Sequence, residues 1–248
     1  MKTLLIILHR IFNIFGIDIV RVAKKDSRIQ KLQIPDAEYY QPLFSPWFGY
    51  GDFPKYFERA KQRTLVSPDR CWILFSLCRQ SLFIDGDIWE CGVYKGGTAA
   101  MLAQLIHDHS PAKRLHLFDT FEGMPETDDA VDIHKKGDFS DTTLNAVQLY
   151  VKYDDIAVYH KGFIPDTFRG MEKSQIAFAH IDVDIRQSVT DCCEFIFPRL
   201  SVGGFLVFDD YGFPTCPGAR QAVDAYFSSW EIIPLVLPTG QAVVMKSN

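Results

Sequence analysis

Short apolar runs alternate with helical segments after residue 81. The runs have the length of buried strands, and they lie at 84–91, 115–119, 155–159, 176–182 and 205–209. A glycine turn follows the first run, and the apolar spacing beyond it predicts a helix over 99–107. Because strands that alternate with helices form a parallel sheet covered on both faces, the pattern predicts an α/β fold.

The last two apolar runs predict a different kind of strand pairing. They lie at 230–237 and 241–246, and Pro238, Thr239 and Gly240 separate them. Proline and glycine between two short strands favour a β-hairpin. We therefore expect a mostly parallel sheet with a C-terminal antiparallel hairpin at its edge, an addition that is unusual in dinucleotide-binding Rossmann domains.

Residues 1–31 form a basic amphipathic N-terminal extension. They contain seven Lys or Arg and two Asp, and an apolar residue recurs at helical spacing from Leu4 to Phe15. We expect this helix to dock on its own domain or on a second copy of the chain. The alternative is peripheral membrane contact through residues 1–25, supported by the neighbouring basic side chains.

The sequence of residues 32–80 predicts a helical and irregular segment that covers the α/β domain. We place the α/β domain itself at residues 81–248. Four prolines between residues 35 and 54 oppose long regular elements. The aromatic side chains among them indicate packing under an irregular cover, or the lining of a substrate cleft. Ser67 and Pro68 have the residue types of a helix start, which predicts a helix over 69–78.

Composition and charge narrow the function classes. The 248 residues are 47% hydrophobic and 23% charged, as in an ordinary globular protein. The net charge of −5 disfavours nucleic acid as the main partner, because phosphate binding needs a basic face. Residues 1–31 carry +5, so the remainder carries −10, which suits a protein that gathers carboxylates around a cation. The six cysteines form no C-x-x-C pair and are expected to be reduced core thiols, which favours the cytoplasm.

A glycine-rich turn follows the first predicted strand, where residues 90–98 read Glu-Cys-Gly-Val-Tyr-Lys-Gly-Gly-Thr. Glycines let the backbone turn sharply and approach a ligand beside a helix N-terminus. The spacing of Gly92 and Gly96 is not that of G-x-G-x-x-G, which weakens nicotinamide dinucleotide binding. Glu90 would suit a ligand with a positive or amino end. Asp119, at the end of the second strand, could accept hydrogen bonds from ribose hydroxyls. The alternative is a purely structural strand–helix turn with a capping Asp119.

Four carboxylates follow two later strands: Asp182 and Asp184 end the fourth, and Asp209 and Asp210 end the fifth. The carboxyl ends of neighbouring parallel strands share one crevice. Carboxylates that crowd there oppose mutual ionisation unless a cation is present, and an all-oxygen ligand set fits Mg²⁺ first. We expect His180 to be a packed strand residue and not a ligand.

The ordered motifs of the chain resemble those of the macrocin O-methyltransferase family. They lie at 90–98, 118–125, 137–142, 180–184 and 203–211, and the resemblance spans roughly residues 64–246. Members of that family are S-adenosylmethionine (SAM)- and metal-dependent sugar O-methyltransferases of natural-product tailoring. The resemblance implies a class I methyltransferase sheet and a methyl transfer to a sugar hydroxyl of a glycosylated natural product or glycan. It also suggests a homo-oligomer that takes a small-molecule glycoside.

The resemblance also implies roles for individual residues. The cofactor-binding set is Glu90, Gly92, Tyr94, Gly96, Gly97, Thr98, Asp119, Thr120, Asp138 and Asp182. The Mg²⁺ ligands implied are Asp182, Asp209 and Asp210, and the base implied is Asp184. The block that contains Asp138 is implied to be part of a mobile cover.

One departure from the family pattern concerns the acceptor. Arg186 replaces an aromatic residue that usually follows the Asp-x-Asp pair, which points to an anionic or differently shaped acceptor. Three other functions stay open at this point. They are a catechol-type metal-dependent O-methyltransferase, a glycosyltransferase that uses 182–184 as a metal–diphosphate motif, and a non-catalytic SAM-fold module anchored by residues 1–31.

Overall fold

A seven-stranded sheet crosses the part of the chain described by the computed structural model, residues 45–247. Its strands are β1 (Asp87–Cys91), β2 (Leu115–Asp119), β3 (Ala157–Lys161), β4 (Ile176–Ile181), β5 (Leu200–Phe208), β6 (Leu235–Val236) and β7 (Ala242–Met245). The strand order is β3-β2-β1-β4-β5-β7-β6. Strands β1 to β5 pair in parallel, and β7 pairs antiparallel with both β5 and β6. The predicted mostly parallel sheet with a C-terminal antiparallel hairpin is confirmed.

Helices cover both faces of this sheet. They are α1 (Phe53–Ala60), α2 (Pro68–Ser81), α3 (Gly97–His109), α4 (Leu144–Val151), α5 (Arg186–Arg199) and α6 (Pro217–Ser228). Side chains alternate along β1, so Ile88 joins the core with α1 to α4 while Trp89 and Cys91 join the core with α5 and α6. The carboxyl ends of β1, β2, β4 and β5 therefore meet at one edge, between the two helical layers.

The helix predicted over 69–78 is α2, and the segment before it holds more helix than its prolines suggest. Ser67 is in an extended conformation at the N-cap of α2 and Pro68 is in its first turn, as predicted. The Ser67 hydroxyl, however, contacts the Asp69 carboxylate instead of a backbone amide. Pro54 lies in the first turn of α1, where a missing backbone N–H costs no hydrogen bond. Phe53 and Leu74 place both helices in the same core as the sheet.

The predicted amphipathic extension, residues 1–31, lies outside the described residues. Within residues 45–247, the structure contains no helix with the length and apolarity needed to cross a membrane. All six cysteines are buried free thiols, which confirms that they pack as core residues.

Candidate active site

A cavity of about 320 Å³ opens at the carboxyl edge of the parallel strands. Gly92 and Asp119 line it from the ends of β1 and β2, and Asp182, Asp184 and Asp210 line it from the ends of β4 and β5. Ligands of open α/β sheets bind at this edge, and the volume is within the usual range for small-molecule sites. The glycine turn and the carboxylates predicted from the sequence thus border one space.

Asp119 holds the loop after β1 against the loop after β2. Its Oδ2 accepts hydrogen bonds from the backbone amides of Val93 (2.7 Å) and Tyr94 (2.9 Å). Its Oδ1 accepts one from the amide of Phe121 at 2.6 Å. The Thr120 hydroxyl also lies 3.5 Å from Oδ1, but its shorter hydrogen bond, 2.7 Å, goes to the carbonyl oxygen of Gly123. A ligand hydroxyl could therefore take the place of Thr120 at Oδ1.

The three glycines of the turn are required by close packing. A Cβ on Gly92 would lie 1.7 Å from the carbonyl oxygen of Asp182, because the chain ends of β1 and β4 touch there. A Cβ on Gly96 would meet Val147 of α4 at 2.9 Å, and one on Gly97 would meet the backbone of Arg63 at 2.6 Å. Only Gly92 of the three lines the cavity.

The contact at Gly92 predicts a large loss of stability in Gly92→Ala. The backbone there has φ +87°, which an L side chain rarely adopts, and the added methyl would collide with a backbone oxygen. We expect the free energy of unfolding to fall by about 3 kcal/mol or more in urea denaturation. Gly137→Ala is the matched control, since Gly137 has φ +86° and a Cβ added there would meet no atom within 4 Å. It should lose only about 1 kcal/mol, and equal losses in the two variants would contradict the collision.

The carboxylates after β4 and β5 form a crowded cluster. Ligand atoms of His180, Asp182 and Asp209 all lie within 4.8 Å of one another. Burial and the charge of Asp209 raise the pKa of Asp182 well above its ordinary value. Burial and the charges of Asp182 and Asp184 do the same to the pKa of Asp210. A cation is the group that would relieve this repulsion, and Asp182 and Asp209 offer oxygen donors that fit a hard divalent ion. Asp210 does not belong to this close set, so its role as a third ligand stays a prediction.

Asp209 differs from its neighbours because positive groups already surround it. Its side chain is fully buried, contacts the guanidinium of Arg70, and accepts a 2.8 Å hydrogen bond from Gln241 Nε2. Although burial opposes ionisation, His180 and Arg70 hold the pKa of Asp209 below its ordinary value. Arg70 also lines the cavity and stacks on the ring of Phe213. Arg70 therefore places a positive charge directly beside one of the predicted metal ligands.

Glu90 and His180 form a buried pair behind the cavity. They face each other on β1 and β4, with Glu90 Oε1 2.9 Å from His180 Nδ1. His180 Nε2 lies 3.6 Å from Asp209 Oδ1. Burial lowers the pKa of His180, but the Asp209 and Glu90 carboxylates outweigh it and raise this pKa to about 10. The expected packing of His180 is confirmed, since it is fully buried on β4.

Asp184 projects into the cavity from a left-handed backbone conformation, with φ +58°. Its amide donates to Asp210 Oδ2 at 3.1 Å, which ties the two strand ends together. Its Oδ1 lies 3.4 Å from Cys216 Sγ and 3.7 Å from His134 Nε2. Burial is the main cause that raises the pKa of Asp184. A carboxylate with a raised pKa is a stronger base than an exposed one.

The structure separates the predicted site residues into two groups. Those in the cavity wall are Gly92, Tyr94, Thr98, Asp119, Thr120, Asp182, Asp184 and Asp210. Those outside the wall are Glu90, Gly96, Gly97, Asp138 and Asp209. Arg186 is exposed at the start of α5 and is also outside the wall. For the second group, contact with a cofactor or metal stays a prediction.

The sequence pattern does not identify several further cavity residues, among them Arg70, His134 and Cys216. Arg70 comes from α2, His134 from the segment between β2 and α4, and Cys216 from the N-cap of α6. Asp132 positions the segment that contains His134. The Oδ1 atom of Asp132 accepts a 3.0 Å hydrogen bond from the backbone amide of Arg186 at the start of α5. No local spacing connects these residues, so only the folded chain brings them together.

Comparison with solved structures identifies the fold. The O-methyltransferase NovP superposes with a TM-score of 0.67 over 75% of this chain and 83% of that chain, at 21% identity. Such a likeness establishes the fold alone. The seven-stranded sheet is that of the class I SAM-dependent methyltransferases.

The family follows from the sequence. The chain belongs to the Macrocin-O-methyltransferase (TylF) family, whose sequence model matches residues 78–236. One curated relative is the 8-demethyl-8-(2,3-dimethoxy-alpha-L-rhamnosyl)-tetracenomycin-C 4'-O-methyltransferase of Streptomyces olivaceus. It is 34% identical over 155 residues, which cover 58% of this chain and 58% of the relative.

A second curated relative is the mycinamicin III 3''-O-methyltransferase of Micromonospora griseorubida. It is 30% identical over 157 residues, or 58% of this chain and 61% of the relative. The chain thus matches about three fifths of the length of these relatives. Both relatives are O-methyltransferases by name. The family match therefore supports a methyltransferase over the glycosyltransferase alternative.

Proposed function

We propose that this protein is a SAM- and Mg²⁺-dependent O-methyltransferase that methylates a sugar hydroxyl of a glycosylated natural product or glycan. The observation that carries the proposal is the carboxylate cluster after β4 and β5, which borders the cavity over Gly92 and Asp119. The family match and the names of the curated relatives support the reaction type and the sugar acceptor.

The two sides of the cavity would bind different groups. Gly92, Tyr94, Thr98, Asp119 and Thr120 would hold SAM on the β1–β2 side of the cavity. Asp182, Asp209 and Asp210 would hold Mg²⁺ on the β4–β5 side. When bound, SAM supplies an electrophilic methyl group on sulfur, and Mg²⁺ supplies Lewis-acid polarisation of an oxygen.

Asp184 would act as the general base. Its carboxylate lines the cavity next to the metal-ligand cluster, where it can take the proton of an acceptor hydroxyl that enters from solvent. Its amide bond to Asp210 fixes the side chain relative to the cluster. The buried environment raises the pKa of Asp184 and so strengthens it as a base. Bound SAM would supply a leaving group that departs as a neutral thioether and needs no acid, which suits a site rich in carboxylates.

The test is methyl transfer to defined acceptors. The protein is incubated with SAM, Mg²⁺ and a panel of glycosides and catechols, and products are detected by the mass of one added methyl group. We expect methylated glycosides, a loss of turnover in excess chelator, and recovery on re-addition of Mg²⁺. Methyl transfer only to catechols would show that the acceptor is a catechol and not a sugar. Full activity in excess chelator would show that the reaction needs no metal.

A further inference from the structure

Three side chains from three separate segments converge beside the carboxylate cluster. His134, Asp184 and Cys216 all line the cavity, and one ligand atom from each lies within 4.8 Å of those of the other two. His134 Nε2 is 3.7 Å and Cys216 Sγ is 3.4 Å from the same oxygen, Asp184 Oδ1. The three atoms are a nitrogen, an oxygen and a sulfur.

These separations match those of ligands around a tetrahedral zinc ion. Zinc bonds of 2.0–2.3 Å place neighbouring ligand atoms about 3.3–3.8 Å apart. Both separations measured from Asp184 Oδ1 fall within that interval. The ligand atoms of His134 and Cys216 lie within 4.8 Å of each other, so a small side-chain adjustment would complete the set. All three residues line the cavity, which gives an ion access from solvent.

The surroundings of His134 strengthen the comparison. Its second ring nitrogen, Nδ1, lies 3.3 Å from Asp138 Oδ2. A metal-binding histidine usually gives its other ring N–H to a carboxylate, which fixes the tautomer and orients the ring. Asp138 is in turn held by the amide of Lys135 at 3.0 Å. The histidine thus has the support of a ligating residue.

The chemistry of the set separates it from the neighbouring oxygen cluster. Imidazole and thiolate favour Zn²⁺, whereas carboxylates alone favour Mg²⁺. The cavity therefore borders two donor sets of different softness, and Asp184 belongs to the softer one. A zinc ion held by Asp184 would occupy the group that the proposed reaction uses as its base.

We propose that His134, Asp184 and Cys216 form a second metal site that binds Zn²⁺ and inhibits methyl transfer; the inhibition, though not the binding, rests on the proposed function. On binding, the Cys216 thiol releases its proton to solvent and becomes a thiolate ligand. Asp184 changes from proton acceptor to ligand. The fourth position faces the cavity and takes water.

Cobalt provides a test that does not depend on activity. The full-length protein, saturated with Mg²⁺, is titrated with Co²⁺ while near-ultraviolet thiolate-to-cobalt absorption is recorded. We expect a band that saturates with one metal per chain, disappears when Zn²⁺ is added, and is absent in Cys216→Ser. Cys78→Ser is the matched control, because Cys78 is a buried thiol of α2 outside the cavity, and it should keep the band. Absence of the band in the unmodified protein, or its persistence in Cys216→Ser, would overturn the site.

The second measurement is Zn²⁺ affinity by competition with a chromophoric chelator. Removing the carboxylate that supports a ligand histidine typically weakens metal binding about 10–100-fold, so Asp138→Asn should weaken Zn²⁺ by that factor. His134→Gln should weaken it at least as much. Asp141→Asn is the control on the same segment, since Asp141 pairs with Tyr94 and Lys95 instead. Unchanged affinity in both His134→Gln and Asp138→Asn would refute the assignment.

Inhibition is measured with micromolar Zn²⁺ over millimolar Mg²⁺, and each variant is normalised to its own zinc-free rate. We expect the zinc concentration for half-inhibition to rise at least tenfold in Cys216→Ser. A cobalt band without methyl transfer to any acceptor would leave the metal site standing and reject the proposed function. Methyl transfer without the band would do the reverse.

Discussion

Asp184→Asn should lower the turnover number by about 10²–10⁴-fold while SAM still binds. The amide has the size of the carboxylate but cannot accept the proton of an acceptor hydroxyl. Asparagine also tolerates the left-handed backbone at this position, where φ is +58°, so the loop should keep its conformation. Steady-state kinetics give the turnover number, and calorimetry gives the affinity for SAM.

The control for this variant is Asp191→Asn. Burial raises the pKa of Asp191 as well, yet Asp191 lies on α5 outside the cavity wall. It should retain normal turnover and SAM binding. If Asp184→Asn turned over substrate at the unmodified rate, the role of general base would have to pass to another group.

Asp210→Asn should remove the stabilisation of the protein by Mg²⁺. A ligand at a hundredfold excess over its Kd adds about 2.7 kcal/mol to the free energy of unfolding. The unmodified protein should therefore melt at a higher temperature with Mg²⁺ than with chelator. In the variant we expect this increment to be lost, because one ligand carboxylate is gone, and Mg²⁺-stimulated activity should fall by about 10²-fold or more.

The same variant has a second expected result. Burial is the main cause that raises the pKa of Asp210, and the neighbouring carboxylates raise it further. The charged form of Asp210 therefore opposes folding when no metal is bound. Neutralising it should leave the melting temperature in chelator equal to or above that of the unmodified protein. A lower melting temperature in chelator would show that Asp210 stabilises the fold by itself, and an intact Mg²⁺ increment would show that it is no ligand.

The strands could be predicted because each is a short apolar run between turn residues. Their limits were less accurate. The first run was predicted over 84–91, but the strand begins at Asp87, after Gly86 turns the chain at φ +113°. The fifth was predicted over 205–209, but β5 begins at Leu200, because it continues through two glycines that a strand pattern does not favour.

The site could be predicted only where strand ends define it. Asp182, Asp184 and Asp210 follow strands that a parallel sheet places side by side, so their proximity follows from the topology. Glu90 also ends a strand, but side-chain alternation directs it to His180 on β4 and away from the cavity. His134 and Cys216 come from irregular segments whose path depends on tertiary contacts such as Asp132 with Arg186. No periodicity of the sequence contains that information.

The cavity wall is drawn from two stretches of the chain that differ in their relation to the family. Arg63, Leu65 and Arg70 line it from positions before residue 78, where the family match begins, whereas the aspartates lie inside the match. The wall residues before residue 78 are nevertheless tied to the carboxylate cluster, because Arg70 contacts Asp209. Exchange of residues 45–69 among related enzymes, with Arg70 retained, would offer a route to altered selectivity that keeps this contact.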